Sequence, residues 1–234
     1  MNASPHTQQL VARFALAMAI FATIAGQLHA LARFETVDGR EDLELPLTRA
    51  WAEPAANLLR PLLDWAGADT VYLTYGKIWF PVFAAFTLAA FVVYQRRRPV
   101  GFEKWAFRVA LTGYVVATAS TFGEYYTPYL DESFLFLGLP GLLMTALGST
   151  ALGIAQLRNR FRPMVTAILL VAFIPLVLAI TEVTSMGNAA LPLAWAWAFA
   201  VRRVGSGPQA QSVVLNAASK AAAGASNAGR RTNS

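Results

Sequence analysis

Apolar residues run through this chain in six stretches, residues 10–32, 78–95, 105–125, 134–157, 164–182 and 189–201, with polar and charged residues gathered between them. Crossing a hydrocarbon core of about 30 Å takes about 20 helical residues, so the first five stretches predict spanning helices. The sixth is short, and Arg202 and Arg203 at its end predict snorkelling to the headgroups. None of the stretches alternates with period two. Each must satisfy its backbone hydrogen bonds internally in lipid, which predicts helices rather than barrel strands. The expected fold class is all-α, a polytopic transmembrane helical bundle of six spans over residues 10–203, between a cytoplasmic N-terminus (1–9) and a cytoplasmic tail (204–234).

The first stretch also has the layout of a cleavable signal peptide: Arg13, an apolar region over 14–26, then Ala30, Leu31 and Ala32. Cleavage would leave five spans and place the mature N-terminus outside. The apolar character begins already at Leu10, and a retained helix adds to a small bundle, so retention is the expectation.

The gaps alternate in charge. Arg96, Arg97, Arg98, Lys104 and Arg108 crowd one connection, Arg158, Arg160 and Arg162 another, and Arg202 and Arg203 close the last stretch. Basic loops stay in the cytoplasm. The intervening connections carry Asp131 and Glu132, or the run Glu35, Asp38, Glu41, Asp42 and Glu44, and are expected outside. Both termini are then cytoplasmic.

Residues 33–76 form the one sizeable extramembrane segment. Trp51, Ala55, Leu58, Leu59, Leu62 and Ala66 recur at helical spacing, opposite Arg49, Glu53, Asn57, Arg60 and Asp64, which predicts an amphipathic helix. Pro54 suits a first turn, whereas Pro61 predicts a kink or two short pieces ending near Gly67. With Trp51, Trp65, Tyr72, Tyr75 and Trp79 nearby, the helix is expected to rest in the outer headgroup layer, with a lid over the bundle as the alternative. Beyond Leu215 large apolar residues nearly vanish, which predicts a solvated tail.

Composition agrees with the pattern. Hydrophobic residues make up 56% and charged residues 14% of the 234 positions, a balance no water-soluble domain of this size could cover with polar surface. The absence of cysteine excludes disulfides, thiolate metal sites and a Cys nucleophile. A formal net charge of +6 does not point to nucleic acid, because the basic residues sit between apolar stretches and in the tail.

Lipid tails offer no hydrophobic drive for helices to associate, so close contact along small residues holds such bundles together. Gly141, Thr145, Ser149 and Gly153 form one such ridge, and Gly113, Ala117 and Thr121 another. Contact within the chain is expected to use them, ahead of dimerisation. Pro175, mid-stretch, predicts a bend.

Candidate chemistry is confined to one level near the outer ends. His29 shares a helical face with Ala22, Ala25 and Gly26, with Arg33 one turn further out. Glu124 shares a face with Gly113, Ala117, Ser120 and Thr121, Glu182 falls in line with Ala172, Pro175 and Ala179, and Lys77 opens the second stretch at the same level. Ionisable groups within spans are costly and usually pair or bind something in the bundle interior. His29, Arg33, Lys77, Glu124 and Glu182 are therefore a candidate ligand-binding cluster, against the plainer reading of interfacial charges and local salt bridges. With His6 and His29 the only histidines, a His-rich metal site is not expected. No nucleophile elbow or phosphate loop appears, and no catalytic residue, metal or cofactor is expected.

Residues 134–203 carry a further pattern: Gly-Leu-Pro-Gly at 138–141, Leu147-Gly148, then Arg158-Asn159-Arg160-Phe161-Arg162-Pro163 joining two stretches, and a short helix ending in paired arginines. In these features the chain resembles the small Ala- and Arg-rich six-span membrane proteins of high-GC bacteria. The resemblance implies a fold type and a plasma-membrane address, and no activity. The expected function is that of a non-enzymatic accessory or interaction subunit, with the lipid bilayer and another membrane protein as partners. The alternative is a small transporter or an outer-face ligand- or ion-binding protein built on the polar cluster.

Overall fold

The computed structural model describes residues 4–205, so most of the tail expected to be solvated lies outside the described residues. The described chain is all-helical, 86% helix with no strand. Its long elements are α1 (Pro5–Glu35), α5 (Trp79–Arg97), α6 (Gly101–Tyr126) and α8 (Leu139–Arg158). Shorter ones are α2 (Pro46–Leu58), α3 (Arg60–Leu63), α4 (Ala68–Gly76), α7 (Leu130–Ser133), α9 (Met164–Val171), α10 (Phe173–Thr181) and α11 (Leu191–Gly205).

On α1 and α8 small residues take the buried face and large apolar residues the exposed one. On α1 the buried stripe is Ala12, Ala15, Ala19 and Ala22, while Ile20, Phe21 and Ile24 face outward, Ile24 at 67% exposure. On α8 the buried positions include Gly141, Thr145, Gly148, Ser149 and Gly153, and Leu139, Leu143 and Leu147 are exposed at intervals of four. Small residues inside let backbones approach, and large apolar ones outside suit a lipid solvent.

Three helical runs are long and apolar enough to cross a membrane: Pro5–Glu35, Ala68–Arg97 and Leu130–Arg158. The pair Met164–Val171 and Phe173–Thr181, bent by 62°, makes a fourth if it is one span. Two of the six expected spans are not among these. Helix α6 has 26 residues but carries Arg108 and a run of hydroxyl side chains. Helix α11 has 15 residues, which at about 1.5 Å each cover only about 22 Å.

The bend in α9–α10 follows from Pro175. Proline has no N–H to donate and its ring opposes the carbonyl four residues back, which here belongs to Val171, the last residue of α9. Elsewhere the chain breaks at Leu59, just before Pro61, while Pro54 lies inside α2 rather than in its first turn. Before Pro140 the helix widens to a π segment, Phe134–Gly138, in which Leu139 N–H bonds to the Phe134 carbonyl.

Both small-residue ridges are engaged within the chain. A Cβ added to Gly113 would strike the backbone of Met144 and Thr145, one on Gly141 the backbone of Ala117, and one on Gly148 the backbone of Ala110. Gly153 instead faces Val171 at the α9–α10 break. Ser149 is buried beside Tyr114, its Oγ 2.8 Å from the phenol oxygen. Trp197 Nε1, able only to donate, reaches the same phenol at 3.2 Å. The phenol accepts from Trp197 and shares a hydrogen bond with the Ser149 hydroxyl, tying α6 to α8 and α11.

The ends of the bundle differ in charge. At the basic end Arg96 donates to Gln8, Arg97 pairs with the buried Glu103, Asn159 donates to the same carboxylate at 2.5 Å, and the Arg97 guanidinium stands 4.9 Å from the Phe161 ring centroid. At the acidic end Trp51 Nε1 donates to Val183 O at 2.7 Å and Thr48 Oγ1 to Glu182 O at 3.1 Å, fastening α2 across the turn after α10. Phe34 meets the Trp51 ring edge-on at 6.0 Å.

Candidate functional site

At the acidic end the helices do not close on one another. They leave a cavity of about 760 Å³, walled by the outer part of α1, α4–α5, α6, the α7–α8 run, Phe173 of α10, residues 185–190 and Leu193 of α11. Helix α2 contributes nothing to its lining, so it is not a lid over this space.

His29 anchors one wall. It is buried, its ring stacked on Tyr72 at 4.8 Å and met edge-on by Trp79 at 5.9 Å and Tyr125 at 5.8 Å. The hydrogen bonds have a defined direction because an indole N–H can only donate. Trp79 Nε1 donates to His29 Nδ1 at 3.1 Å, which leaves the proton on Nε2. Nε2–H donates to Tyr125 Oη at 3.2 Å, and Tyr125 Oη lies 3.4 Å from Tyr72 Oη. Both imidazole nitrogens are thus occupied. No serine or threonine is activated by His29, and among the described residues no group of three His, Asp or Glu side chains is placed to hold a metal ion.

Glycines make room for this ring cluster. A Cβ on Gly76 would run into the Tyr125 ring, and one on Gly26 into Trp79 and the Asn188 side chain. The link between α1 and α6 here runs through the His29 and Tyr125 rings, whereas Gly26 packs on Trp79 and Asn188 and Gly113 on α8.

Glu124 lies half-buried in the α6 wall, accepting a hydrogen bond from Ser120, whose hydroxyl also reaches the Ser133 carbonyl at 3.0 Å. Arg33 stands at the mouth with its Nε 2.9 Å from Asp42 Oδ2. Three exposed aspartates, Asp38, Asp69 and Asp131, complete the rim. Deeper in, the lining turns apolar with Phe83, Leu142, Phe173 and Leu193. Two hydroxyls in the lining have no hydrogen-bond partner: Thr145, 3% exposed, and Ser185, 2% exposed.

Of the cluster expected from sequence, His29, Arg33 and Glu124 border one cavity. Lys77 and Glu182 do not. Lys77 sits at the break between α4 and α5, exposed, with its ammonium 5.8 Å from the Tyr126 ring centroid. Glu182 follows the end of α10 and is exposed. Its expected face was projected along an unbroken helix from Ala172, and the 62° bend at that residue removes the basis of the projection. Three of the packing residues, Ala117, Thr121 and Thr145, also line the cavity.

Tyr72, Trp79 and Tyr125 were not expected at the site. Trp79 and Tyr72 belong to an aromatic belt in the sequence, but the fold turns both toward His29. Tyr125 had a usable signal, since it continues the face of Ala117 and Thr121 by one more turn. No family model, no curated protein and no solved structure matches this chain.

Proposed function

We propose that the chain is a multi-pass membrane protein that binds a small organic ligand in the cavity at its acidic end, which faces the outside of the cell. The observation that carries this is the cavity: about 760 Å³, within the range of about 300–1,000 Å³ usual for small-molecule sites, with two buried hydroxyls left unpartnered in its lining. The small-residue ridges that motivated an interaction-subunit reading are engaged within the chain.

In this proposal all six apolar segments cross or enter the bilayer, α6 and α11 being shielded by their neighbours, and the basic end lies in the cytoplasm of a plasma membrane by the positive-inside rule. Helix α2, with Leu47, Leu58 and Trp65 exposed, rests at the outer headgroups. The latch of Arg97, Glu103 and Asn159 closes the basic end, which favours binding over transport.

The thiol-free background gives a direct test. A Ser185→Cys or Thr145→Cys variant, treated in intact cells with a membrane-impermeant methanethiosulfonate and then purified, is expected to show a mass shift. Modification confined to inside-out vesicles, or none at either position after detergent solubilisation, would remove the cavity as a binding site.

A further inference from the structure

The balance of charge and the nature of the walls point to the kind of molecule this cavity takes. The carboxylic acids in its lining are Asp38, Asp69, Glu124 and Asp131, against one guanidinium, that of Arg33. Arg33 is already paired, through Asp42, which is not part of the lining. Among the described residues Asp38, Asp69 and Asp131 make no ion pair. His29 adds no positive charge, because the Trp79 indole holds its Nδ1 as an acceptor. The space is therefore electronegative, and a low-dielectric wall focuses such a field inward.

The walls supply the second element. Six aromatic residues border the cavity, Tyr72, Trp79, Phe83, Tyr125, Phe134 and Phe173, and ring faces attract cations, more strongly where water is displaced. A bare metal ion is a poor match, since no triad of ligating side chains exists among the described residues. An anion would have to displace Asp42 from Arg33.

We infer that the ligand is an amphiphilic organic cation, an amine or quaternary ammonium, whose charged head sits between Glu124, Asp131 and the aromatic wall and whose apolar body extends toward Phe83, Leu142, Phe173 and Leu193. Helix α7 makes this geometry local: the Ser133 side chain lies against Gly123, and its carbonyl accepts from Ser120, so Asp131 is held beside the turn that carries Glu124. The inference rests on the cavity being a binding site, and its test separates the two.

The experiment uses the full chain in phosphatidylglycerol nanodiscs, with Thr145→Cys and, as a second position, Ser185→Cys. Rates of modification by a trimethylammonium-ethyl and a sulfonato-ethyl methanethiosulfonate are measured, and their ratio is divided by the ratio for 2-mercaptoethanol in solution. The expected ratio is about tenfold or more in favour of the cation, reduced severalfold by Glu124→Gln with Asp131→Asn, and benzyltrimethylammonium at millimolar concentration is expected to slow both reagents. Reaction of both reagents without cation preference, or with no protection by benzyltrimethylammonium, overturns the cation assignment and leaves the cavity. No reaction at either thiol overturns the binding site itself. Slower labelling by the anionic as well as the cationic reagent when phosphatidylethanolamine replaces phosphatidylglycerol would identify a lipid headgroup as the cation, because loss of the anionic surface potential alone speeds the anionic reagent; anionic-reagent rates that do not fall would identify a free amine.

Discussion

Helix α8 lies so close to α6 that adding a single methyl should be felt across the bundle. A Cβ on Gly148 would stand 2.5 Å from the amide nitrogen and 2.6 Å from the Cα of Ala110, and 3.0 Å from the carbonyl carbon of Val109. These are backbone atoms, which cannot rotate away, and comfortable carbon contacts need about 3.5–4.0 Å. Gly148→Ala must therefore push α6 and α8 apart by about 1 Å at this level, which forfeits a quarter to a half of the dispersion energy of each atom pair along the seam. Overpacking of this kind costs about 1–3 kcal/mol. Scaled by the roughly 2–4 °C per kcal/mol of domains this size, the midpoint in detergent should fall by roughly 2–12 °C. Gly67→Ala is the control, since nothing lies within 4 Å of its Cβ and its φ of −59° suits any residue. Differential scanning fluorimetry on both variants reads the difference. A Gly148→Ala midpoint equal to that of Gly67→Ala would mean that α6 and α8 are not in backbone contact.

Trp79→Phe leaves His29 Nδ1 buried without a donor, which should cost about 1–3 kcal/mol; combined with Tyr125→Phe in thermal unfolding, it should depart from additivity by about 0.5 kcal/mol or more, and additive effects would dissolve the Trp79–His29–Tyr125 chain. Glu124→Gln and Glu182→Gln, by contrast, should add within about 0.5 kcal/mol, because Glu182 is exposed and does not line the cavity. Coupling between those two carboxylates would restore the cluster expected from sequence. For topology, a cysteine at Tyr129, 61% exposed at the acidic end, should react with an impermeant reagent on intact cells while one at Arg158 should not, and the reverse result would invert the bundle.

The stretch lengths and three-to-four-residue periods were enough to determine an all-helical chain built for an apolar solvent, because both are local properties of a helix. The buried stripe of Ala12, Ala15, Ala19 and Ala22, and the ridge from Gly141 to Gly153, needed only the rule that small residues seek other helices in lipid. The count of spans was less legible: among the described residues three runs, or four with the bent pair, are long and apolar enough to cross a membrane, and α6 and α11 are not among them. Helical phase carries a side chain's direction only along an unbroken helix. The breaks at Ala172 and at 77–78 therefore removed Glu182 and Lys77 from the site, while His29, Arg33 and Glu124 stayed on long continuous helices and met around one cavity. Rotation of one helix about its axis relative to the next is set by packing alone, and it is this rotation that turns Tyr72 and Trp79 of the expected belt, together with Tyr125, onto the ring of His29.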